Sequence, residues 1–330
     1  MLAVGLGVGV AACGGTDSEG SSDGGGGSID LVAYSTPQQA FEEGIIPAFE
    51  ETSDGGGVDV STSFASSGEQ RRAVEEGQPA DFLDLSLEPD MSALVEAGKV
   101  AEDWDRNQYN GKITDSVVVL SVREGNPEGI EDWGDLVTGE LEIITPNPAT
   151  SGGAKWNIMA AYGSQIANGA SEQEALDFVA QIIESTSVLD DSARDSVQTF
   201  ASGKGDVLIG YENEAIQAQD EGVELEYVIP DDTILIENPA AVTEEAQDPE
   251  AAQALLDFIW TDEGQQVFAD YGYRPVVESV LKQNADKFPE VPGLFTIEEF
   301  GGWDKVDTEF FDDASGSVTE ILRQQGEPLE

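Results

Sequence analysis

The turn TPNPATSGGAKW, from Thr145 to Trp156, has residue types that can hold an anion. Its two prolines remove amide donors and end the apolar strand Leu141–Ile144. Ser151, Gly152 and Gly153 then lead into a predicted helix, whose first N–H groups have no partner within the helix. Glycines let a small ion approach these amides closely, so the turn predicts an anion site. The alternative is an ordinary serine N-cap, which is common at helix starts.

The cysteine and histidine content excludes several kinds of chemistry. Cys13 is the single cysteine and the chain has no histidine. Intramolecular disulfides, cysteine-based metal cages and histidine-dependent triads or zinc sites are therefore excluded. No paired-carboxylate motif stands out for acid–base catalysis. We therefore predict no metal centre, no cofactor and no enzymatic activity.

The charge of the chain is strongly negative. Asp and Glu number 67 against 14 Lys and Arg, for a net charge of −53. A nucleic-acid backbone would be repelled, so we expect no nucleic-acid partner. The carboxylates occur on nearly every predicted element, which favours a solvated surface suited to high salt over an acidic ligand-binding face.

The amino terminus resembles a lipoprotein signal. The apolar run Leu2–Ala12 is too short to span a bilayer and ends in Val10-Ala11-Ala12-Cys13-Gly14, which is similar to a bacterial lipobox. This resemblance implies that 1–13 is a signal segment, that Cys13 carries lipid, and that the protein is anchored at the extracytoplasmic face of the cytoplasmic membrane. No Lys or Arg precedes the run, and an accidental cysteine in an apolar terminus is the alternative. Residues 14–28, rich in Gly, Ser and Asp, are predicted to form a flexible linker.

Strands and helices alternate along the rest of the chain, which predicts an α/β fold with parallel sheets. The periodicity predicts a kink at Pro47 in a helix over Pro37–Thr52. The other predicted strands are Ile29–Tyr34, Val58–Phe64, Asp81–Ser86, Ser116–Val122 and Asp206–Tyr211. The other predicted helices are Ser67–Glu76, Ala154–Asn168, Glu172–Glu184, Pro249–Trp260 and Glu263–Tyr271.

Ser- or Gly-containing turns follow several of these strands. They are Tyr34-Ser35-Thr36, Ala65-Ser66-Ser67-Gly68, Ser151-Gly152-Gly153 and Asp191-Ser192-Ala193-Arg194. Ligands of open α/β sheets bind beyond the carboxyl ends of the strands. The turns carry neither a lysine-rich cluster nor a carboxylate pair, so they predict a ligand cleft of neutral donors between two lobes.

Several longer segments carry a family resemblance. They are ITPNPATSGGAKWN, VLDDSARDSVQTF, GDVLIGYENEA and LFTIEEFGGWDK, which occur in this order between Ile29 and Asp313. The chain is thereby similar to the sulfate-binding proteins of bacterial ABC importers. This resemblance implies the two-lobed type II periplasmic binding-protein fold, with residues 29–115 and 228–330 in lobe 1 and residues 116–227 in lobe 2. Strands near Ser116 and Tyr227 are then expected to cross between the lobes.

The resemblance also implies the ligand-binding residues, which are Ser35, Ser67, Ser151, Gly152, Gly153, Ala193 and Tyr211. Ser67 is expected to donate its hydroxyl, Ser151 its hydroxyl and amide, and the glycines, Ser35 and Ala193 their amides. Tyr211 stands where relatives have an indole N–H, and Ser192 and Asp195 replace glycines beside Ala193.

The function that the resemblance implies is capture of sulfate by a monomer and its delivery to a membrane-embedded ABC permease. A sulfate oxygen only accepts hydrogen bonds, so neutral donors satisfy it. Thiosulfate, molybdate and phosphate are alternative ligands. Phosphate would need an acceptor for its proton, which Asp190, Asp191 or Asp195 could supply. A hydrolase or transferase on the same fold is the remaining alternative.

Overall fold

The computed structural model describes residues 27–327. The lipobox, its Cys13 and nearly all of the 14–28 linker lie outside these residues. The strands are β1 Ser28–Tyr34, β2 Asp59–Ala65, β3 Phe82–Asp84, β4 Lys112–Arg123, β5 Ile143–Pro146, β6 Thr186–Asp190, β7 Val207–Tyr211, β8 Leu225–Val228, β9 Asp232–Val242 and β10 Gly293–Phe295. The helices are α1 Gln38–Ala40, α2 Ile46–Glu50, α3 Ser67–Glu75, α4 Glu88–Glu96, α5 Gly152–Ala167, α6 Glu172–Glu184, α7 Ala193–Ala201, α8 Glu212–Asp220, α9 Pro249–Ile259, α10 Asp262–Asp270, α11 Glu278–Gln283, α12 Trp303–Val306 and α13 Ser317–Gln325.

The strands form a mixed sheet in the order β2-β1-β3-β9-β4-β7-β5-β6. At one end β1 runs parallel to β2 and β3, and at the other β5 runs parallel to β6 and β7. Helices follow most of these strands, as parallel connections require. The two parallel sections are the sheets of the first and second lobe, and antiparallel pairing with β4 and β9 joins them.

β4 and β9 are the strands that cross between the lobes. β4 pairs with β9 from Lys112 to Val117, and from Val118 onward it pairs with β7. The crossing expected near Ser116 therefore agrees with the structure. The one expected near Tyr227 is wrong, because β8 pairs with β4 within the second lobe. The second crossing strand is β9, which continues to pair with β3.

Each lobe has its own hydrophobic core. In the first lobe, Phe41 packs edge-to-face against Phe82 and Phe268, with ring centroids 6.2 and 5.6 Å apart. In the second lobe α5 is central, because 12 of its 16 residues are buried. The sequence predicted only a buried stripe on this helix. Because α5 is packed around nearly its whole circumference, the helix is held in place and its amino terminus points in a fixed direction.

The aromatic carboxyl-terminal tail corrects the predicted lobe boundary. The ring of Trp303 packs at 4.6 Å from that of Trp156 in α5, and the ring of Phe310 packs at 4.8 Å from that of Tyr162. The core of the second lobe also contains the tail residues Phe295, Ile297, Val306, Phe311, Val318 and Leu322. Assignment of all of 228–330 to lobe 1 therefore fails for this tail, because its apolar side chains cover α5 and α6.

The predicted helix over Pro37–Thr52 is interrupted. A π-helical turn, Phe41–Ile45, separates α1 from α2 and ends two residues before Pro47, which lies in the first turn of α2. Pro47 has no N–H to continue the regular ladder, which accounts for an irregularity at this point. Among residues 27–327, no helix is both long enough and apolar enough to cross a membrane.

Candidate functional site

The amino ends of four helices, α3, α5, α7 and α8, meet beyond the carboxyl ends of β2, β5, β6 and β7. A methyl group on Gly153 of α5 would lie 3.4 Å from Ala193 Cβ in α7 and 3.5 Å from Tyr211 Cε1 at the start of α8. A methyl group on Gly68 of α3 would lie 3.2 Å from the Thr150 carbonyl oxygen. The structure thus brings predicted residues from both lobes together at one place.

The turn before α5 is held by its own backbone. The amides of Thr150 and Ser151 both donate to the Asn147 carbonyl, at 3.1 and 2.8 Å, and the Asn147 amide donates to Asp190 at the end of β6. Ser151 occupies the N-cap position with an extended backbone, but its side chain makes no capping hydrogen bond. The caps of α6 and α7 differ, because the Ser171 and Ser192 hydroxyls accept the amides of Glu174 and Asp195. The Ser151 hydroxyl is therefore not used to cap its helix.

Gly152 and Gly153 are both buried and allow a close approach to the start of α5. A methyl group on Gly152 would lie 2.7 Å from Leu87 Cγ and 2.8 Å from Ser86 Oγ, both in the first lobe. These distances are too short for ordinary packing, so only glycine fits here. The two glycine amides lie in the first turn, where helical N–H groups have no intrahelical acceptor.

Ser67 lies at the first position of α3, and its hydroxyl already has an acceptor. It donates to Asp90 Oδ2 at 2.6 Å, while its oxygen accepts the amide of Ser86 at 3.1 Å. In this arrangement the hydroxyl proton expected to reach a ligand is directed at Asp90. The backbone amide of Ser67, at the start of α3, is therefore the donor that remains for a ligand.

Ala193 is buried at the first position of α7. The flanking Ser192 and Asp195, at positions where the family resemblance implied glycines, form a cap. Asp195 N–H donates to Ser192 Oγ at 3.1 Å, and Ser192 Oγ donates to Asp195 Oδ2 at 2.7 Å. These residues hold a regular helix start and leave the Ala193 amide in its first turn.

Tyr211 is 1 % exposed and caps α8 at the end of β7. Its hydroxyl lies 3.0 Å from Ser86 Oγ in the first lobe. Burial raises its pKa, so it stays a neutral hydroxyl. The ring is fully enclosed and its oxygen has a polar partner.

Ser35 follows β1 and is half-buried. Its neighbour Thr36 donates to Glu214 Oε1 of α8 at 3.1 Å, across the cleft between the lobes. This bond brings the β1 turn beside the start of α8. Ser35 is thus near the group formed by the other predicted residues, but the structure shows no direct contact between it and Ser151.

Two buried carboxyl groups near Tyr211, those of Asp84 and Glu214, were not identified from the sequence. Asp84 ends β3, and burial raises its pKa well above the usual range. Burial also raises the pKa of Glu214 to about 7, although hydrogen bonds from Tyr211 N–H and Thr36 oppose that shift. Both shifts favour the neutral acid, which lowers the repulsion that a bound anion would meet.

Ser86 and Asp90 are further residues that sequence reasoning missed as parts of the site. Ser86 follows a short strand in the stretch LDLSLEPD, where a serine has no special signal. Its partner Tyr211 lies 125 residues further along the chain. Only the folded chain places them together.

A cavity of about 670 Å³ opens over the start of α5. It is lined by Ser151 and Gly152 and by the cations Arg71, Arg72 and Lys155. Lys155 pairs with Asp307 at 2.5 Å, and Arg71 lies 3.3 Å from Asp90. Because Lys155 and Arg71 each lie beside a carboxylate, part of the positive charge at this cavity is neutralised.

Comparison with known proteins defines the class of this fold and site. The family model described as bacterial extracellular solute-binding protein matches residues 29–274. The chain belongs to this family. The two-lobed type II fold predicted from the sequence is thereby confirmed.

Individual relatives match over most of the chain. The sulfate-binding protein of Synechococcus elongatus is 41 % identical, over 94 % of this chain and 92 % of the relative. The thiosulfate-binding protein of Escherichia coli is 34 % identical, over 88 % of this chain and 89 % of the relative. The structure of the sulfate-binding protein SubI from Mycobacterium tuberculosis superposes with a TM-score of 0.84 at 42 % identity, covering 87 % of this chain and all of that one.

Proposed function

We propose that this chain captures sulfate outside the cytoplasm and delivers it to an ABC importer. The observation that carries the proposal is the start of α5, where Ser151 makes no capping bond and Gly152 and Gly153 leave their amides accessible at close range. Relatives named as sulfate-binding proteins, at about two-fifths identity over most of the chain, support the same ligand.

The physical basis of binding is a set of neutral donors. Sulfate oxygens accept hydrogen bonds and donate none, and a bond to a charged group contributes about 1.5 to 3 kcal/mol. The Ser151 hydroxyl and the amides of Gly152, Gly153, Ala193 and Ser67 are the donors we assign, with Tyr211 as a further hydroxyl. The amide of Ser35 completes the set from the β1 turn. Helix ends supply these donors together with a favourable dipole.

The experiment is a calorimetric titration with sulfate. Ser151→Ala should weaken binding by about 1 to 3 kcal/mol, because it deletes one charge-assisted hydrogen bond. Ser171→Ala is the matched control, since Ser171 caps the exposed start of α6 and lies outside the site. Equal affinity in wild type and Ser151→Ala would place the ligand elsewhere.

Thiosulfate is the second candidate ligand, since a thiosulfate-binding relative also matches over most of the chain. Competition titrations with sulfate, thiosulfate, molybdate and phosphate distinguish these ligands. Neither of the hydroxyls that we assign as donors, those of Ser151 and Tyr211, has a carboxylate as a hydrogen-bond partner within residues 27–327, so we propose binding without catalysis.

The location that we propose rests on the lipobox resemblance of the amino terminus, and the surface on the charge composition. Cys13 would carry the lipid that holds the protein, as a monomer, at the outer face of the cytoplasmic membrane. The net charge of −53 would keep the surface hydrated and the protein soluble at high salt. Local donors act at contact distance, whereas surface charges are screened over about 3 Å in molar salt.

A further inference from the structure

The cavity over the start of α5 is rich in cations for so acidic a chain. Arg71, Arg72 and Lys155 line it, whereas the whole chain has 14 Lys and Arg and a net charge of −53. Ser151 and Gly152, whose donors we assign to sulfate, line the same cavity. A divalent anion that approaches this protein is repelled by most of its surface. The cavity therefore combines access to the assigned donors with a local supply of positive charge.

Two of the three cations already have carboxylate partners. Arg71 donates to Glu75 at 2.8 Å and lies 3.3 Å from Asp90, and Lys155 pairs with Asp307 at 2.5 Å. A cation and a carboxylate in contact largely cancel each other's field at a distance. Arg71 and Lys155 therefore attract an anion outside the cavity only weakly.

Arg72 differs from these two residues. Its side chain is exposed, and within residues 27–327 its guanidinium has no carboxylate or other hydrogen-bond acceptor as a partner. A methyl group on Gly68 would lie 3.4 Å from Arg72 Nη1 and 3.2 Å from the Thr150 carbonyl oxygen, which directly precedes Ser151. The free charge of Arg72 thus lies close to the turn that carries the assigned donors.

The opposite wall of the cavity carries carboxylates. Asp312 and Asp313 of the carboxyl-terminal tail line it and are exposed. Asp312 Oδ1 accepts the amides of Ala314 and Ser315 at 3.1 and 2.8 Å, and within residues 27–327 neither carboxylate pairs with a Lys or Arg side chain. An anion that enters the cavity therefore meets an attracting guanidinium on one side and two repelling carboxylates on the other.

We propose that this cavity is the route by which the anion enters, and that Arg72 steers it to the start of α5 against the repulsion of Asp312 and Asp313. The inference rests on the proposed function, since it concerns how fast the same site fills. Arg72 acts on the approaching anion and does not hold the bound one. Charges at such a position change the association rate and its salt dependence, and leave the dissociation rate nearly unaltered.

The test is stopped-flow measurement of sulfate association, followed by tryptophan fluorescence. Trp156 is a suitable reporter, because its indole N–H donates to the Ser86 carbonyl in the other lobe. In about 0.1 M NaCl, Arg72→Gln should slow association about twofold, and Arg72→Glu, which changes the charge twice as much, about fourfold. In about 1 M NaCl, where the Debye length is about 3 Å, wild type and both variants should associate at equal rates.

Lys204→Gln is the matched control, because it removes one positive charge from another exposed side chain. Lys204 precedes β7, at the end of that strand opposite Tyr211, and does not line the cavity. Its loss should leave the association rate unchanged. The double variant Asp312→Asn, Asp313→Asn should instead speed association about twofold to fourfold in about 0.1 M NaCl, since it removes repulsion and keeps an acceptor oxygen at residue 312.

The possible results separate the proposal from its alternatives. Equal association rates of wild type and Arg72→Glu in about 0.1 M NaCl, or the same slowing in Lys204→Gln as in Arg72→Gln, would overturn it. Faster dissociation with unchanged association would also overturn it, because Arg72 would then hold the bound anion. A wild-type protein that does not bind sulfate would overturn the proposed function itself, a different result from normal affinity with rates that do not depend on Arg72.

Discussion

Gly152 of α5 lies against Leu87 across the cleft, so closely that a methyl group on the glycine would meet Leu87 Cγ at 2.7 Å. The contact joins the start of α5 in one lobe to Leu87, the N-cap residue of α4, in the other. A side chain at this position would hold the two surfaces apart.

Gly152→Ala should therefore weaken sulfate binding by about tenfold or more while the lobes remain folded, because overpacking of this kind costs about 1 to 3 kcal/mol. Titration calorimetry measures the affinity, and thermal unfolding reports the stability. Gly134→Ala is the matched control, since a methyl group there meets nothing within 4 Å. Unchanged affinity in Gly152→Ala would show that the contact is not required in the bound state.

The buried ion pair between Arg274 and Glu212 should be important for stability. Arg274 Nε lies 2.6 Å from Glu212 Oε2, and the Glu212 side chain is completely buried. Burial raises the pKa of Glu212, whereas Arg274 lowers it. Arg274→Met would leave the carboxyl without its cation and should cost about 3 to 5 kcal/mol of unfolding free energy.

Chemical denaturation measures this cost. Lys282→Met is the control, because its pair with Glu278 is exposed and such pairs contribute at most about 1 kcal/mol. Similar losses in the two variants would contradict the assignment of a special role to the buried pair.

The crossing strands carry a pH-sensitive contact. Asp115 of β4 stands directly opposite Glu237 of β9. Burial, followed by the charge of Glu237, raises the pKa of Asp115 from its ordinary 3.8 to about 8, against the opposing effect of Lys112 and Arg274. The folded protein thus holds a proton that the unfolded chain releases, and stability should fall as pH rises from about 4 to about 8.

Asp115→Asn removes this dependence, so the variant should gain stability relative to wild type on the order of 1 to 3 kcal/mol at pH 8. At pH 4 the two proteins should differ little. Denaturation at both pH values measures the difference, with the exposed Asp257→Asn as control. A relative gain that is equal at pH 4 and pH 8 would rule out titration of Asp115 as its cause.

Cys13→Ser should release the protein from membranes without changing its affinity for sulfate. The reason is that the proposed lipid attaches to the cysteine thiol, which serine lacks. Fractionation of expressing cells followed by immunoblotting measures the distribution. A mutant that remains with the membrane fraction to the same extent would contradict lipidation at Cys13.

Local signals in the sequence predicted much of the strand and helix alternation and the glycine-rich start of α5. Prolines and glycines in 145–153 determine that turn by their own backbone chemistry, so no tertiary information is needed. β9 was not predicted as a strand, because Glu237, Asn238 and Pro239 interrupt its apolar pattern. Its pairing with β4 determines its conformation instead.

The positions of Ser151 and Ala193 at helix starts were predictable from their own turns, and their contact with a ligand stays a prediction. The roles of Ser67 and Ser86 depend on partners in other segments. Ser67 was expected to offer its hydroxyl, but Asp90, 23 residues away, accepts that proton. No pattern within a single segment reports which acceptor a serine will meet.

The packing of Trp303 on Trp156 also bears on how the chain is made and folded. A chain that emerges from its amino end presents all of the helix starts that we assign to the ligand before residue 303 exists. Until then the inner face of α5 has no cover from Trp303, Val306 or Leu322. The second lobe can therefore reach its final packing only after synthesis is nearly finished, and up to that moment the apolar surface of α5 lacks the cover of the tail and is open to chaperones.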